Sequence, residues 1–162
     1  MSEASTYDRV VALLEEGEFA LERYDERKVV MFRLVHEGIT WPCMVLADDD
    51  AGSLVVYNHA PVSCEGEHRA ELYDFLHRAN LGFSRGAFEI EAASGDVRFR
   101  MGIDLRFHKP GRDELLDLIQ QSIALFRHGL RGVLRVMNGK ATAAEAIAML
   151  EGEASEASAG ER

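Results

Sequence analysis

Two runs of alternating apolar and polar residues, separated by Ser94-Gly95, constrain the fold of this chain most. Phe88, Ile90 and Ala92 precede the pair, and Val97, Phe99, Met101, Ile103 and Leu105 follow it. Side chains of a strand alternate between its two faces, so a two-residue turn places both apolar rows on one face. The predicted pairs are Ile90 with Phe99, Phe88 with Met101, Glu91 with Arg98 and Glu89 with Arg100. This pattern predicts a hairpin with one buried face and one charged face in water.

Residues 29–57 form a block of three further strands that is apolar on both faces. Trp41, Cys43, Val45 and Ala47 fall on one face of the middle strand, whereas Met44 and Leu46 fall on the other. An antiparallel sheet with one face in water should alternate cleanly between apolar and polar residues. We therefore expect both faces to be covered. One cover is the chain's own helices, and the other is a further helix, a second protomer or a partner.

Helical patterns surround these strands. A helix is predicted over residues 5–16, and a second one ends at Asn80, before Gly82. A third runs over residues 112–128, and Gly129 and Gly132 mark either a kinked continuation or a separate turn. Thr142 and Glu145 form a capping box for a last helix over residues 143–150. The predicted fold is α+β, a five-stranded antiparallel sheet with flanking helices in the order α-β-β-β-α-β-β-α. A single domain of residues 1–150 and a disordered acidic tail of residues 151–162 are expected.

The charge balance limits the partners of this chain. It has 28 acidic and 18 basic residues among 162, which gives a net charge of −10. Such a surface argues against binding to duplex nucleic acid and to anionic membranes, both of which require Lys and Arg. The N-terminal residues do not resemble a signal peptide, and no apolar run reaches the roughly 20 residues needed to span a bilayer. Cys43 and Cys64 form no metal-binding pattern. A cytoplasmic protein with free thiols is predicted.

No set of residues predicts a reaction, a cofactor or a metal. The sharpest metal hypothesis joins His36 and His59 with Asp48 or Asp50, but a site needs three or four converging ligands. The acidic run at residues 48–52 lacks the spacing of an EF-hand loop and is typical of a turn. Ser63-Cys64 with His68 shows no oxyanion motif, and Arg85 alone is a weak anion site. We expect a protein that is not an enzyme.

A few residues in the second half carry a family resemblance. The helix ending at Asn80, then Gly86–Glu91 and Gly95–Arg100, resembles the YbjN family of bacterial proteins over residues 5–128. The resemblance implies a fold like that of type III secretion chaperones, an antiparallel sheet flanked by helices. Members of that fold are often small, acidic and dimeric, and several bind extended segments of partner proteins. The family is described as regulators of sensory transduction, and it supplies no catalytic residues.

The doubly apolar strand block therefore favours a non-enzymatic protein-interaction or chaperone-like regulator that forms a homodimer. An apolar sheet face or edge is the expected contact for another protein. The candidate partner-binding residues are Trp41, Met44, Leu46, Val55 and Tyr57, and core packing is the alternative role of each. The alternative function is a small-ligand sensing domain with a pocket between sheet and helices.

Overall fold

The computed structural model describes residues 4–160, and side-chain surroundings as far as residue 153. Its elements in chain order are α1 (Thr6–Glu16), β1 (Glu22–Tyr24), β2 (Val29–His36), β3 (Ile39–Asp48), β4 (Ser53–His59), α2 (Arg69–Gly82), β5 (Ala87–Ile90), β6 (Val97–Asp104), α3 (Arg112–Met137) and α4 (Ala143–Gly160). Short 3₁₀ turns precede β2 and α2. None of the described helices is both long enough and apolar enough to cross a membrane.

The strands form one antiparallel sheet in the order β1-β2-β3-β4-β6-β5. This confirms the predicted α+β class, but the predicted strand count of five is wrong, because the sheet has six strands. The additional strand is β1, in which Glu22 pairs with Met31 and Tyr24 pairs with Val29. Three exposed residues are too few to produce an alternating pattern, so the sequence signal for this strand is weak.

The turn between β2 and β3 fixes the register of the central strands. Glu37 and Gly38 both have positive φ, 50° and 77°. Two such residues form the tight hairpin turn whose twist matches that of the strands. The resulting register pairs Met31 with Met44 and Val29 with Leu46.

The β5–β6 hairpin has the predicted even–odd parity but a register that differs by two residues. Phe88 pairs with Phe99 and Glu89 with Arg98, because a six-residue loop, 91–96, replaces the predicted two-residue turn. The loop is held by the segment before α2. Arg69 donates hydrogen bonds to the carbonyl oxygens of Ala92 and Cys64. These tertiary contacts, which are distant in sequence, override the local preference for a tight turn.

The helices α1, α2 and α3 pack on one face of the sheet, called here the inner face. Its buried strand residues are Val30, Phe32, Trp41, Cys43, Val45, Ala47, Leu54, Val56, Phe88, Val97, Phe99 and Met101. A buried polar chain crosses this core. The indole N–H of Trp41 donates to Oδ1 of Asn58 (3.1 Å), and Nδ2 of Asn58 donates to Oγ of Ser122 (2.9 Å). This chain links β3, β4 and α3.

Helix α3 runs unbroken through Gly129 and Gly132. A Cβ atom at Gly129 would lie 2.3 Å from Cε2 of Phe88, and one at Gly132 would lie 2.3 Å from Cζ of Phe75. Both rings are buried. The two glycines therefore neither kink nor end the helix. They form a notch, called here the glycine notch, into which the two rings fit.

Helix α4 begins with the predicted capping box, in which the backbone N–H of Glu145 donates to Oγ1 of Thr142 (3.2 Å). It continues to Gly160. Residues 151–160 have a helical backbone, which their Ala and Glu residues favour, and the disorder predicted for residues 151–162 stays a prediction. Residues 161 and 162 lie outside the described residues. The domain boundary at residue 150 stays a prediction.

Replacing Gly132 with Ala tests the glycine notch. Ala favours an isolated helix by about 1 kcal/mol, but here its methyl group would collide with Phe75, and overpacking costs about 1–3 kcal/mol. We expect Gly132→Ala to lower the free energy of unfolding measured with urea. Gly152→Ala is the matched control, since nothing lies within 4 Å of its Cβ position, and it should not destabilise the protein. A Gly132→Ala protein as stable as wild type would contradict the notch.

Candidate docking surface on the open face of the sheet

The second face of the sheet, called here the open face, has no helix packed against it within the described residues. The side chains on the open face alternate along each strand with those of the inner face. Its members on the first four strands are Glu22, Tyr24, Val29, Met31, Arg33, Val35, Thr40, Pro42, Met44, Leu46, Asp48, Ser53, Val55, Tyr57 and His59. The central ones are half-buried by their neighbours on the sheet, and they do not join the core cluster.

Six of these side chains form a contiguous apolar patch. They are Val29, Met31, Met44, Leu46, Val55 and Tyr57. The registers place Val29, Leu46 and Val55 in one row and Met31, Met44 and Tyr57 in the next. Neighbouring strands lie about 4.8 Å apart, so each row spans about 10 Å across three strands. The flexible thioether side chains of Met31 and Met44 let this patch adapt to side chains of different shape.

A charged rim of Glu89, Arg98 and Arg100 borders the apolar patch on the β5–β6 side. Nε of Arg98 donates to one carboxylate oxygen of Glu89 (2.8 Å), and Nε of Arg100 donates to the other (2.6 Å). The guanidinium of Arg98 also lies 4.8 Å from the centre of the Tyr57 ring, within the range of a cation–π contact. The rim is thus joined to the patch through Tyr57.

The charged rim shifts the pKa values of Glu89, one of its members, and of the neighbouring His59. Partial burial alone would raise the pKa of Glu89, but the hydrogen bonds from Arg100 and Arg98 outweigh it and hold the pKa below its ordinary value. The pKa of His59 is lowered by its half-burial and by the charge of Arg98. The imidazole of His59 is therefore neutral at pH 7. The net charge of the three rim residues is +1.

Four of the five predicted partner-binding residues come together on the open face. Met44 is directly opposite Tyr57, and Leu46 is opposite Val55. Trp41 is not part of this surface. It lies on the inner face, is 2% exposed and packs against Phe126, because odd positions of β3 point toward the helices. The binding role of the other four residues stays a prediction.

The sequence reasoning missed Val29, Met31 and the charged rim as members of this surface. A signal for the first two was present. A two-residue turn at Glu37-Gly38 sets Met31 opposite Met44 without further information. The rim was harder to find, since the hairpin register that joins Glu89 to both arginines depends on the loop contacts of Arg69.

The candidate metal ligands do not converge. His36 shares the inner face with Phe32, whereas His59 shares the open face with Tyr57, so the sheet separates the two imidazoles. No group of three or more His, Cys, Asp or Glu side chains among the described residues is placed to hold a metal ion. The acidic turn has structural contacts instead. Asp49 accepts hydrogen bonds from the backbone N–H and Oγ1 of Thr6.

The candidate nucleophile is poorly placed for chemistry. The Cys64 side chain is only 1% exposed, and burial raises the pKa of its thiol. The thiolate is the reactive form of cysteine, so this environment suppresses reactivity. The Ser63 hydroxyl donates a hydrogen bond to Asp96. Arg85, the candidate anion site, lies 3.8 Å from the Asp117 carboxylate.

Comparison with known proteins finds a chain of low similarity in a solved structure. No protein-family model matches the chain, and no curated protein matches it. A solved structure titled as the crystal structure of the ExsC-ExsE complex has a chain that is similar to this one. The two share 18% sequence identity with a TM-score of 0.41, over 76% of this chain and 96% of that chain.

The depressed pKa of Glu89 gives the rim a pH dependence. A carboxylate whose pKa is lowered on folding stabilises the protein above its unfolded pKa of about 4.5, and this contribution is lost as the pH falls through the folded value. We expect Glu89→Gln to reduce the free energy of unfolding at pH 7 by up to about 1 kcal/mol. The difference from wild type should shrink below pH 4.5. Glu22→Gln, at the far side of the open face, is the control and should show no such trend.

Proposed function

We propose that this chain is a non-enzymatic, chaperone-like protein-interaction domain that binds a segment of another protein on the open face. The observation that carries the proposal is the apolar patch, six large apolar side chains on a sheet face that the described helices leave uncovered. Burial of such a surface against another protein removes apolar area from water, which is the main driving force of association.

The edge of the sheet offers a second contact for the same partner. Strand β1 pairs only with residues 29–31 of β2, so within the described chain no strand covers residues 32–36 on that side. Val35 on this edge is 70% exposed. An extended segment added beside this edge gains backbone hydrogen bonds and places alternate side chains on the open face. An apolar segment that continues across the apolar patch is the partner that fits.

Homodimer formation belongs to the same proposal, because two copies that face each other would cover the same residues. The proposal also includes the resemblance to the YbjN family and to type III secretion chaperones. It places the chain in the cytoplasm, as a regulator that acts by holding another protein. The features that support this are the net charge of −10 and the flanked antiparallel sheet.

Replacing Leu46 with Lys tests the homodimer. A charge at the centre of the apolar patch should prevent association, while its half-exposed position in one protomer limits the loss of stability. Light scattering after size-exclusion chromatography should give twice 18.0 kDa for wild type and 18.0 kDa for Leu46→Lys. Leu81→Lys is the matched control, since Leu81 is 77% exposed on α2, and it should stay dimeric. A wild-type mass of 18.0 kDa would contradict the homodimer.

Photo-crosslinking tests the docking surface itself. A benzophenone amino acid replaces Tyr57 in the apolar patch or, as the matched control, Tyr73 on the exposed side of α2. Irradiation should give covalent protein adducts from position 57 and none from position 73. An adduct of twice 18.0 kDa identifies a second copy, and another mass identifies a different partner. Adducts of equal yield from both positions, or none from position 57 in purified protein and in cell extract, would contradict the proposal.

A further inference from the structure

A separate cavity of about 290 Å³ lies on the inner-face side, between the β2–β3 turn, α3 and α4. Two arginines and two glutamates line it, together with three large apolar residues. Its lining differs entirely from the apolar patch and lies across the sheet from it. Occupancy of the cavity and occupancy of the open face are therefore physically separate events.

The floor of the cavity is apolar. Trp41 and Leu130 are buried beneath it, and Ile39 is partly buried at its side. The indole N–H of Trp41 is not available to a ligand, because it already donates a hydrogen bond to Asn58. The floor can therefore offer a ligand only van der Waals contact and the ring faces of an aromatic residue.

One wall of the cavity is formed by one side of α3. Ala124, Arg127, His128 and Arg131 all line the cavity, and their spacing of i, i+3, i+4 and i+7 places them on one side of a helix. Arg131 is paired with Glu153 at 3.0 Å. No ion pair or hydrogen bond engages Arg127 or His128 among the described side chains. Glu37, the second acid of the lining, lies 3.8 Å from Nε2 of His36, so Arg127 is the charged lining residue without an ion pair among the described residues.

We infer that this cavity binds a small organic monocarboxylate with a compact apolar body. The apolar body would rest on Trp41, Ile39 and Leu130, and the carboxylate would accept hydrogen bonds from Arg127 at the rim. Guanidinium groups suit carboxylates because their parallel N–H bonds match the two oxygens. The volume is at the lower end of the range for small-molecule sites, which favours a ligand of the size of an aromatic or branched-chain acid.

Trp41 provides a direct readout, since it is the only tryptophan of the chain. Its fluorescence is to be titrated with phenylacetate, benzoate and isovalerate, and with phenylacetamide as the neutral counterpart of phenylacetate. We expect a saturable change with at least one carboxylate and at least tenfold weaker binding of the amide. Arg127→Gln should weaken carboxylate binding at least tenfold. Arg135→Gln, on the same helix but outside the cavity lining, is the matched control and should bind as wild type.

Several outcomes would overturn the inference. They are no saturable response to any of the three carboxylates, equal binding of acid and amide, or no effect of Arg127→Gln in a protein whose circular dichroism is unchanged. A capped acidic peptide that binds more tightly than the free acids would replace the small-molecule assignment with a peptide site. Leu46→Lys should leave the titration unaltered, so the result is independent of the proposed docking surface.

Discussion

One-sided packing of the sheet is the constraint on which the rest of this structure depends. Every helix that contacts the central strands does so on the inner face, where the side chains of β3 and β4 are almost fully buried. The buried polar chain from Trp41 through Asn58 to Ser122 reinforces this arrangement, because a displaced helix would leave polar groups unpaired in an apolar core. The alternate residues of the same strands must then face outward, whatever their polarity.

The outward residues are what make the arrangement unusual. In β4, Val56 and Asn58 belong to the core, whereas Val55 and Tyr57, which alternate with them, are apolar and face outward. Apolar residues at the second set of positions are only half-buried in a single chain, and their exposed area is what motivates the proposed binding role.

Local patterns predict this fold well where neighbouring residues determine it, and poorly where distant ones do. Alternation in β3 and β6, the capping box at Thr142 and the Glu37-Gly38 turn are readable from short windows of sequence. The six-residue hairpin loop cannot be read in this way, because its contact with Arg69, the first residue of α2, joins residues that are distant in sequence. The four patch residues of β3 and β4 follow from parity alone. The cavity does not, because it requires knowing that the two glycines leave α3 unbroken and that α4 returns to its side.

The glycine notch has a consequence for how the chain can respond to a bound molecule. With the rings of Phe88 and Phe75 seated against Gly129 and Gly132, α3 can neither slide along its axis nor rotate without a collision. The backbone that carries Arg127, His128 and Arg131 is therefore held at a fixed angle, so a ligand of the proposed kind would cost little backbone entropy on binding. A helix held in this way does not transmit a movement from the cavity to the rest of the fold. A ligand in the cavity would therefore raise the free energy of unfolding without switching the protein to another shape.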